Sequence, residues 1–330
     1  MQNFQQNLSL ACRDKIKQPV IYCVLVIILS LLPIVIKSTY VIQIFIIVFV
    51  YIIATSSLRT IATSGQVSLG HAGFMSIGAY SAGIMSKLLG WAPWITIPLG
   101  AIATSAIAIL VGYPFSRLRS IYFSMISLFF GVAILSINSV FAEYTGGSYG
   151  LTGIPPMFIG SKIPYYYYFL GLTVFSLLFL YRIESCRIGM SFKAIAQSPQ
   201  VASSIGINES GYRVLALAVG CFIVGLVGAS YAHYNTVLSH SSFNFLASIY
   251  LLVYMIVGGI QSFGGPIIGV VILVWVPELF RDLKEFTPYI FVAIILVVVY
   301  VMPKGITGLF ERVKLWIKMR REGKVITHAS

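Results

Sequence analysis

Between Ser64 and Ser86 the chain reads SGQVSLGHAGFMSIGAYSAGIMS. Glycine, serine and alanine dominate this run, although the chain around it is very apolar. Glycine costs a helix interior about 1 kcal/mol relative to alanine, so local helix stability does not account for the choice of residues. Ser68, Ala72 and Ser76 recur every four residues, as do Gly78, Ala82 and Ser86. Small faces of this kind let helices approach closely in a membrane. Gly65 and Gly70, which precede them, also permit a broken helix, and a membrane tolerates one only where the backbone lines a cavity or is packed in protein. Gly65, Gln66, Ser68, Gly70, His71, Ser76 and Gly78 therefore form either a close-packing face or the lining of a pathway. The residues alone leave both readings open.

The rest of the chain says what surrounds this run. Of 330 residues, 58% are hydrophobic and 9% are charged, whereas a soluble domain carries about 25% charged residues. The expected solvent is lipid, and the expected fold is an all-α polytopic membrane helix bundle. The formal charge of +13 is explained by basic residues that hold loops on the cytoplasmic side. No basic–aromatic patch points to nucleic acid. Cys12, Cys23, Cys186 and Cys221 follow no pairing or CxxC pattern, so neither a disulfide nor a metal site is expected, and no cofactor. Arg13, Lys15 and Lys17 precede an apolar run without a small-residue cleavage site, which marks a retained helix rather than a removed signal.

A spanning helix needs about 20 mostly apolar residues. Ten candidates fit: Val20–Ile36, Tyr40–Leu58, Gly70–Leu88, Trp94–Tyr113, Ile121–Val140, Pro164–Tyr181, Val214–Tyr234, Phe245–Ile260, Pro266–Phe280 and Pro288–Met302. With the N-terminus inside, 17 of the 22 Lys and Arg residues fall in cytoplasmic segments. Only Lys37, Lys87, Lys162, Arg281 and Lys284 fall outside. That asymmetry places both termini in the cytoplasm. The organisation is then a cytoplasmic segment over 1–19, a transmembrane domain over 20–310 and a basic cytoplasmic tail over 311–330.

Two polar segments interrupt the spans. Ala142 to Ile163 is external, and Gly146, Gly147, Gly150 and Gly153 mark tight turns in it. Arg182 to Arg213 is the longest cytoplasmic loop (182–213), and it carries helix signals. Met190 to Gln197 reads as one short helix. Ser198 is an N-cap candidate with Pro199 at the first helical position, and Gly206 is a C-terminal stop for a second helix over Gln200 to Ile205.

The chemistry is sparse. Ionisable residues within a membrane usually mark ion or proton routes, yet the span interiors hold almost none. Glu143 and Glu278 lie near span ends, and His71 alone approaches an interior. There is no GxxxxGK[ST] phosphate loop, no HExxH and no GxSxG, so the chain is not expected to be an enzyme. A second glycine-rich stretch, GGIQSFGGPIIG from Gly258 to Gly269, echoes the first. Both contain G-x-x-S-[LF]-G, with Gly259, Ser262, Phe263 and Gly264 matching Gly65, Ser68, Leu69 and Gly70. Paired interruptions point to an internal repeat around a central site. Three classes remain: a permease driven by a separate motor, a secondary transporter lacking the usual coupling carboxylates, and a structural or channel-like membrane protein.

SGQVSLGHAGFMSIGAYSA, TGGSYGLTGIP, IGMSFKAIAQSPQVASSIGI, VGGIQSFGGPIIG and YVMPKGITGLF, in this order, resemble the permease subunits of high-affinity branched-chain amino acid ABC importers. The resemblance runs from about Arg59 to Phe310. It implies a bacterial inner-membrane subunit that works with a second, homologous permease, two ABC ATPase subunits and a periplasmic or tethered substrate-binding protein. The implied cargo is leucine, isoleucine or valine, with urea, amides or other amino acids as the alternative. It also implies that the cytoplasmic loop couples to the ATPase, through Pro199, Val201, Ala202, Ile205 and Gly206. Where the family often carries Arg and an acidic residue in this loop, the chain has Ala196, Ser198 and Gln200.

Overall fold

A computed structural model of the protein describes residues 26–33, 38–118, 120–279, 292, 296, 300 and 305–308. The expected segment 1–19, the tail 311–330 and most of the first and tenth expected spans lie outside the described residues. The helices are α1 (Thr39–Ala62), α2 (His71–Leu89), α3 (Pro93–Ser116), α4 (Ser120–Val140), α5 (Ala142–Thr145), α6 (Ile163–Ser185), α7 (Arg187–Gln197), α8 (Pro199–Ser204), α9 (Glu209–Asn235), α10 (Phe245–Gly258) and α11 (Gly265–Leu279). Residues 26–33 are also helical.

Six segments among the described residues are long and apolar enough to cross a membrane: Thr39–Ala62, Pro93–Ser116, Ser120–Val140, Ile163–Ser185, Glu209–Asn235 and Ser241–Gly258. The chain is a polytopic helical membrane protein. Its 19-residue α2 is long enough to cross, but glycine and serine dilute its hydropathy. Glycine also bounds α10, which ends at Gly258 after 14 residues, and α11, which starts at Gly265.

The bundle is built around α9. It packs against α3, α2 and α1, and small residues set how close it comes. A Cβ added at Gly228 would lie 2.2 Å from the Met75 carbonyl oxygen, and one at Gly78 would lie 2.4 Å from the Gly225 carbonyl oxygen. The two backbones therefore touch, which is how membrane helices gain van der Waals contact without a hydrophobic driving force. In contrast, α4 lies at the periphery, with Ile121, Phe129 and Val140 turned outward. In lipid such exposure carries no penalty, because the acyl chains are as apolar as the side chains.

Among the described residues, the two ends of the bundle differ in their basic side chains. Arg59, Arg117, Arg182, Arg187, Lys193 and Arg213 gather where α1, α3 and α6 finish and α9 starts. At the opposite end lie Lys87 and Lys162, with a feature that an all-α reading omits. A two-residue strand β1 (Leu151–Thr152) pairs antiparallel with β2 (Val237–Leu238), Leu151 opposite Leu238. Turns at Gly146, Gly147, Gly150 and Gly153, all with positive φ, bring the chain round to that pairing. Ile154 donates its N–H to the Thr236 carbonyl and extends the contact.

The segment 182–213 is less of a loop than its polarity implies. Helix α6 continues to Ser185, and α9 begins at Glu209 rather than Val214. Asn208 caps α9 by accepting the Gly211 N–H at 3.1 Å, and Glu209 pairs with Arg213 at 2.6 Å one turn on. Between them, α7 and α8 lie end to end. Ser198 caps α8 by accepting the Val201 N–H. Past its end, Ile207 donates to the Ala202 carbonyl, with Gly206 at φ +84°.

Candidate functional site

At the basic end the chain leaves α1 after Ala62, turns at Gly65 with φ +83°, and runs without regular structure to Gly70 before α2 starts at His71. Irregular backbone inside a membrane protein must find partners within the protein, and serines supply them. Ser127 of α4 accepts the Leu69 N–H at 3.0 Å, Ser124 donates to the Val67 carbonyl at 2.7 Å, and Ser248 of α10 accepts the Ala72 N–H at 3.0 Å. Gly70 is required by proximity, since a Cβ there would fall 1.9 Å from the Ser127 carbonyl oxygen. Ser76 accepts a bond from the Asn138 amide at 2.9 Å.

Not all of the polar groups are satisfied. Gln66, Ser68 and His71 are each at most 1% exposed, yet Gln66 Nε2, Ser68 Oγ and His71 Nδ1 have no partner. The Ser57 hydroxyl lies 2.7 Å from the Ala54 carbonyl oxygen and 2.8 Å from His71 Nε2, so it joins the histidine to α1. Leaving a buried polar atom unpaired costs about 1–3 kcal/mol, and three such atoms fall within the six residues from Gln66 to His71. A crevice beside it, between Gly70, Gly73, Gly131 and Ser248, has a volume of about 10 Å³, room for one water molecule. The crevice admits no larger solute in this structure.

The second glycine run also breaks a helix. Between α10 and α11 the chain turns at Gly259, φ +107°, and the helices close tightly: a Cβ at Gly258 would lie 1.9 Å from the Gly265 carbonyl oxygen. Thr307 donates to the Gly258 carbonyl at 2.8 Å. Ser262 lends its carbonyl to the Gly265 N–H, and the nearest neighbour of a Cβ at Gly264 would be the Ser262 hydroxyl. Gly65 and Gly259, matched in the sequence echo, thus share a left-handed backbone at the same end of the bundle.

Arg59 joins the two breaks. Its side chain, 3% exposed, donates to Glu184 Oε2 at 2.7 Å and Oε1 at 3.1 Å, and to the carbonyls of Ile260 at 2.8 Å and Gln261 at 3.3 Å. The guanidinium also lies over the Phe263 ring. Glu184 holds Lys193 of α7 at 2.9 Å. Sequence reasoning used Arg59 only to orient the spans, and it passed over Glu184. A signal existed: with only nine acidic residues in the chain, an acid at the end of an apolar helix, between Arg182 and Arg187, implies a buried cation.

Helix α8 divides the residues that the resemblance links to the ATPase. Val201 and Ile205 are exposed, but Ala202 is 1% exposed. It packs inward, so the outward apolar patch is Val201 with Ile205 only. Pro199 and Gly206 bound the helix at its two ends.

A bundle of apolar helices joined by buried, glycine-rich turns has the architecture of a polytopic membrane protein. The chain belongs to the family described as branched-chain amino acid transport system / permease component, whose model matches residues 40–303. It is similar to the high-affinity branched-chain amino acid transport system permease protein LivM of Salmonella typhimurium and of Escherichia coli K12. Each is 27% identical over 288 residues, which cover 78% of this chain and 67% of the relative. It is also similar to LivH of Salmonella typhimurium, 29% identical over 142 residues, 42% of this chain and 43% of that protein. No solved structure matches significantly.

Proposed function

We infer that the chain is a transmembrane permease subunit of an ABC importer in a bacterial inner membrane, and that it forms part of the path for leucine, isoleucine and valine. The observation that carries this reading is the family match across residues 40–303, which takes in both glycine breaks and the helices α7 and α8. ATP hydrolysis is then the work of two partner ATPases, since no phosphate loop occurs in the chain. A second, related permease completes the path, and a binding protein delivers the cargo. In this reading ten spans place both termini in the cytoplasm and the basic end faces inward. Gln66, Ser68 and His71 line the path. Gly65, Gly70, Gly78, Gly259 and Gly264 allow the helices around it to pack and part. Val201 and Ile205 present the ATPase with its docking patch.

Affinity purification of the chain in mild detergent tests the assembly. ATPase subunits and a second permease are expected to co-purify with it. Recovery of the chain alone, in detergents that preserve other ABC importers, would count against this function and favour a self-contained transporter.

A further inference from the structure

The helix α7 bears on both glycine breaks. Near its C-terminal end, Ala196 Cα would sit 3.2 Å from a Cβ at Gly65, so the first break rests directly on it. Near its N-terminal end it meets Glu184: a Cβ at Gly189 would lie 2.2 Å from the Glu184 carbonyl oxygen, and Lys193 holds the Glu184 carboxylate. That carboxylate grips Arg59, and Arg59 grips the carbonyls of Ile260 and Gln261 in the second break. We propose, resting on the importer reading above, that the Arg59–Glu184 pair is the positioning link that passes movement of α7 and α8 to the glycine break at 259–264.

Three physical points support this. A buried ion pair is weak evidence of a stabilising role, since an apolar pair of similar size is often as stable. The guanidinium is planar and forked, and here one side of the fork meets a carboxylate while the other side meets backbone. Its two sets of partners therefore cannot move apart without stripping a buried cation of hydrogen bonds. Finally, the backbone it holds follows a glycine at φ +107°, a position with the conformational freedom of a hinge. A direct contact at one break and an ionic tether at the other make a single surface movement reach both.

The test uses the whole importer in proteoliposomes, with labelled leucine imported per ATP hydrolysed as the readout. Two variants are compared with wild type: E184Q, which leaves Arg59 its carbonyl partners, and the double variant R59M/E184M, which removes the pair without leaving a buried charge. Both are expected to keep the ATPase subunits while leucine moved per ATP falls about tenfold, within the usual range of a coupling effect. R59K, which keeps the charge but not the fork, is expected to fall between these variants and wild type. A wild-type ratio in either E184Q or R59M/E184M overturns the link. Loss of the ATPase subunits from both also overturns it, because the pair would then be an assembly element. A wild-type preparation that neither retains ATPase subunits nor imports leucine overturns the importer reading, and the link with it.

Discussion

Gly70 and Ser68 are two residues apart, and opposite outcomes are expected when each becomes alanine. At Gly70 the added methyl meets the Ser127 carbonyl at 1.9 Å. That neighbour is backbone and cannot turn aside, so α2 must shift from α4, an overpacking change that costs about 1–3 kcal/mol. Gly70→Ala should lower the melting temperature in detergent and the yield of folded protein. Gly78→Leu should do the same against Gly225, more severely. Ser68, by contrast, is buried with its hydroxyl unpaired. Removing an unpaired hydroxyl relieves a penalty, so Ser68→Ala should leave the melting temperature unchanged or raise it. If the segment lines the path, the same variant weakens leucine transport. Equal melting temperatures for Gly70→Ala and wild type would contradict the close packing, and unaltered transport by Ser68→Ala would remove that hydroxyl from the path.

Helix α8 separates two substitutions that its sequence alone does not. Ile205 is exposed and Ala202 is buried. Ile205→Arg adds a charge to the outer patch, and it should release the ATPase from purified protein while the fold survives. Ala202→Arg forces a charge against the chain's own interior, so it should unfold the α7–α8 pair and reduce yield first. Folded Ala202→Arg protein at wild-type yield would contradict the inward placement. The limits of α8 were legible because caps are local chemistry: Ser198 before Pro199 and Gly206 after the last turn act on neighbouring backbone. Hydropathy placed the start of α9 at Val214, because the first turn after the Asn208 cap is polar. The face that Ala202 presents was not legible, because Val201, Ala202 and Ile205 share a helix arc and only tertiary packing divides them. Arg59 and Glu184 lie 125 residues apart, and no local pattern pairs them.

Across the whole molecule, the two glycine breaks lie at one end and are reached by α1 and α10 running in the same sense. A parallel repeat, related by an axis along the membrane normal, has this arrangement. The echo between Gly65 and Gly259 was visible in the sequence. Their proximity was not, because it depends on how the helices between them, α2 to α10, stack. The charge asymmetry of the ends predicts their sidedness. Single cysteines at Ile159 and at Ser204, in a background without the native cysteines, should react with an impermeant thiol reagent from opposite faces of the membrane. Reaction of both from outside intact cells would contradict the topology.

The most direct measurement of the function is uptake of labelled leucine by vesicles that contain the chain with its co-purified partners. Uptake should require ATP inside the cytoplasmic compartment, persist when a protonophore collapses the proton gradient, and be competed by isoleucine and valine but not by urea. Uptake that continues without ATP and collapses with the proton gradient would contradict the account, and competition by urea alone would contradict its substrate.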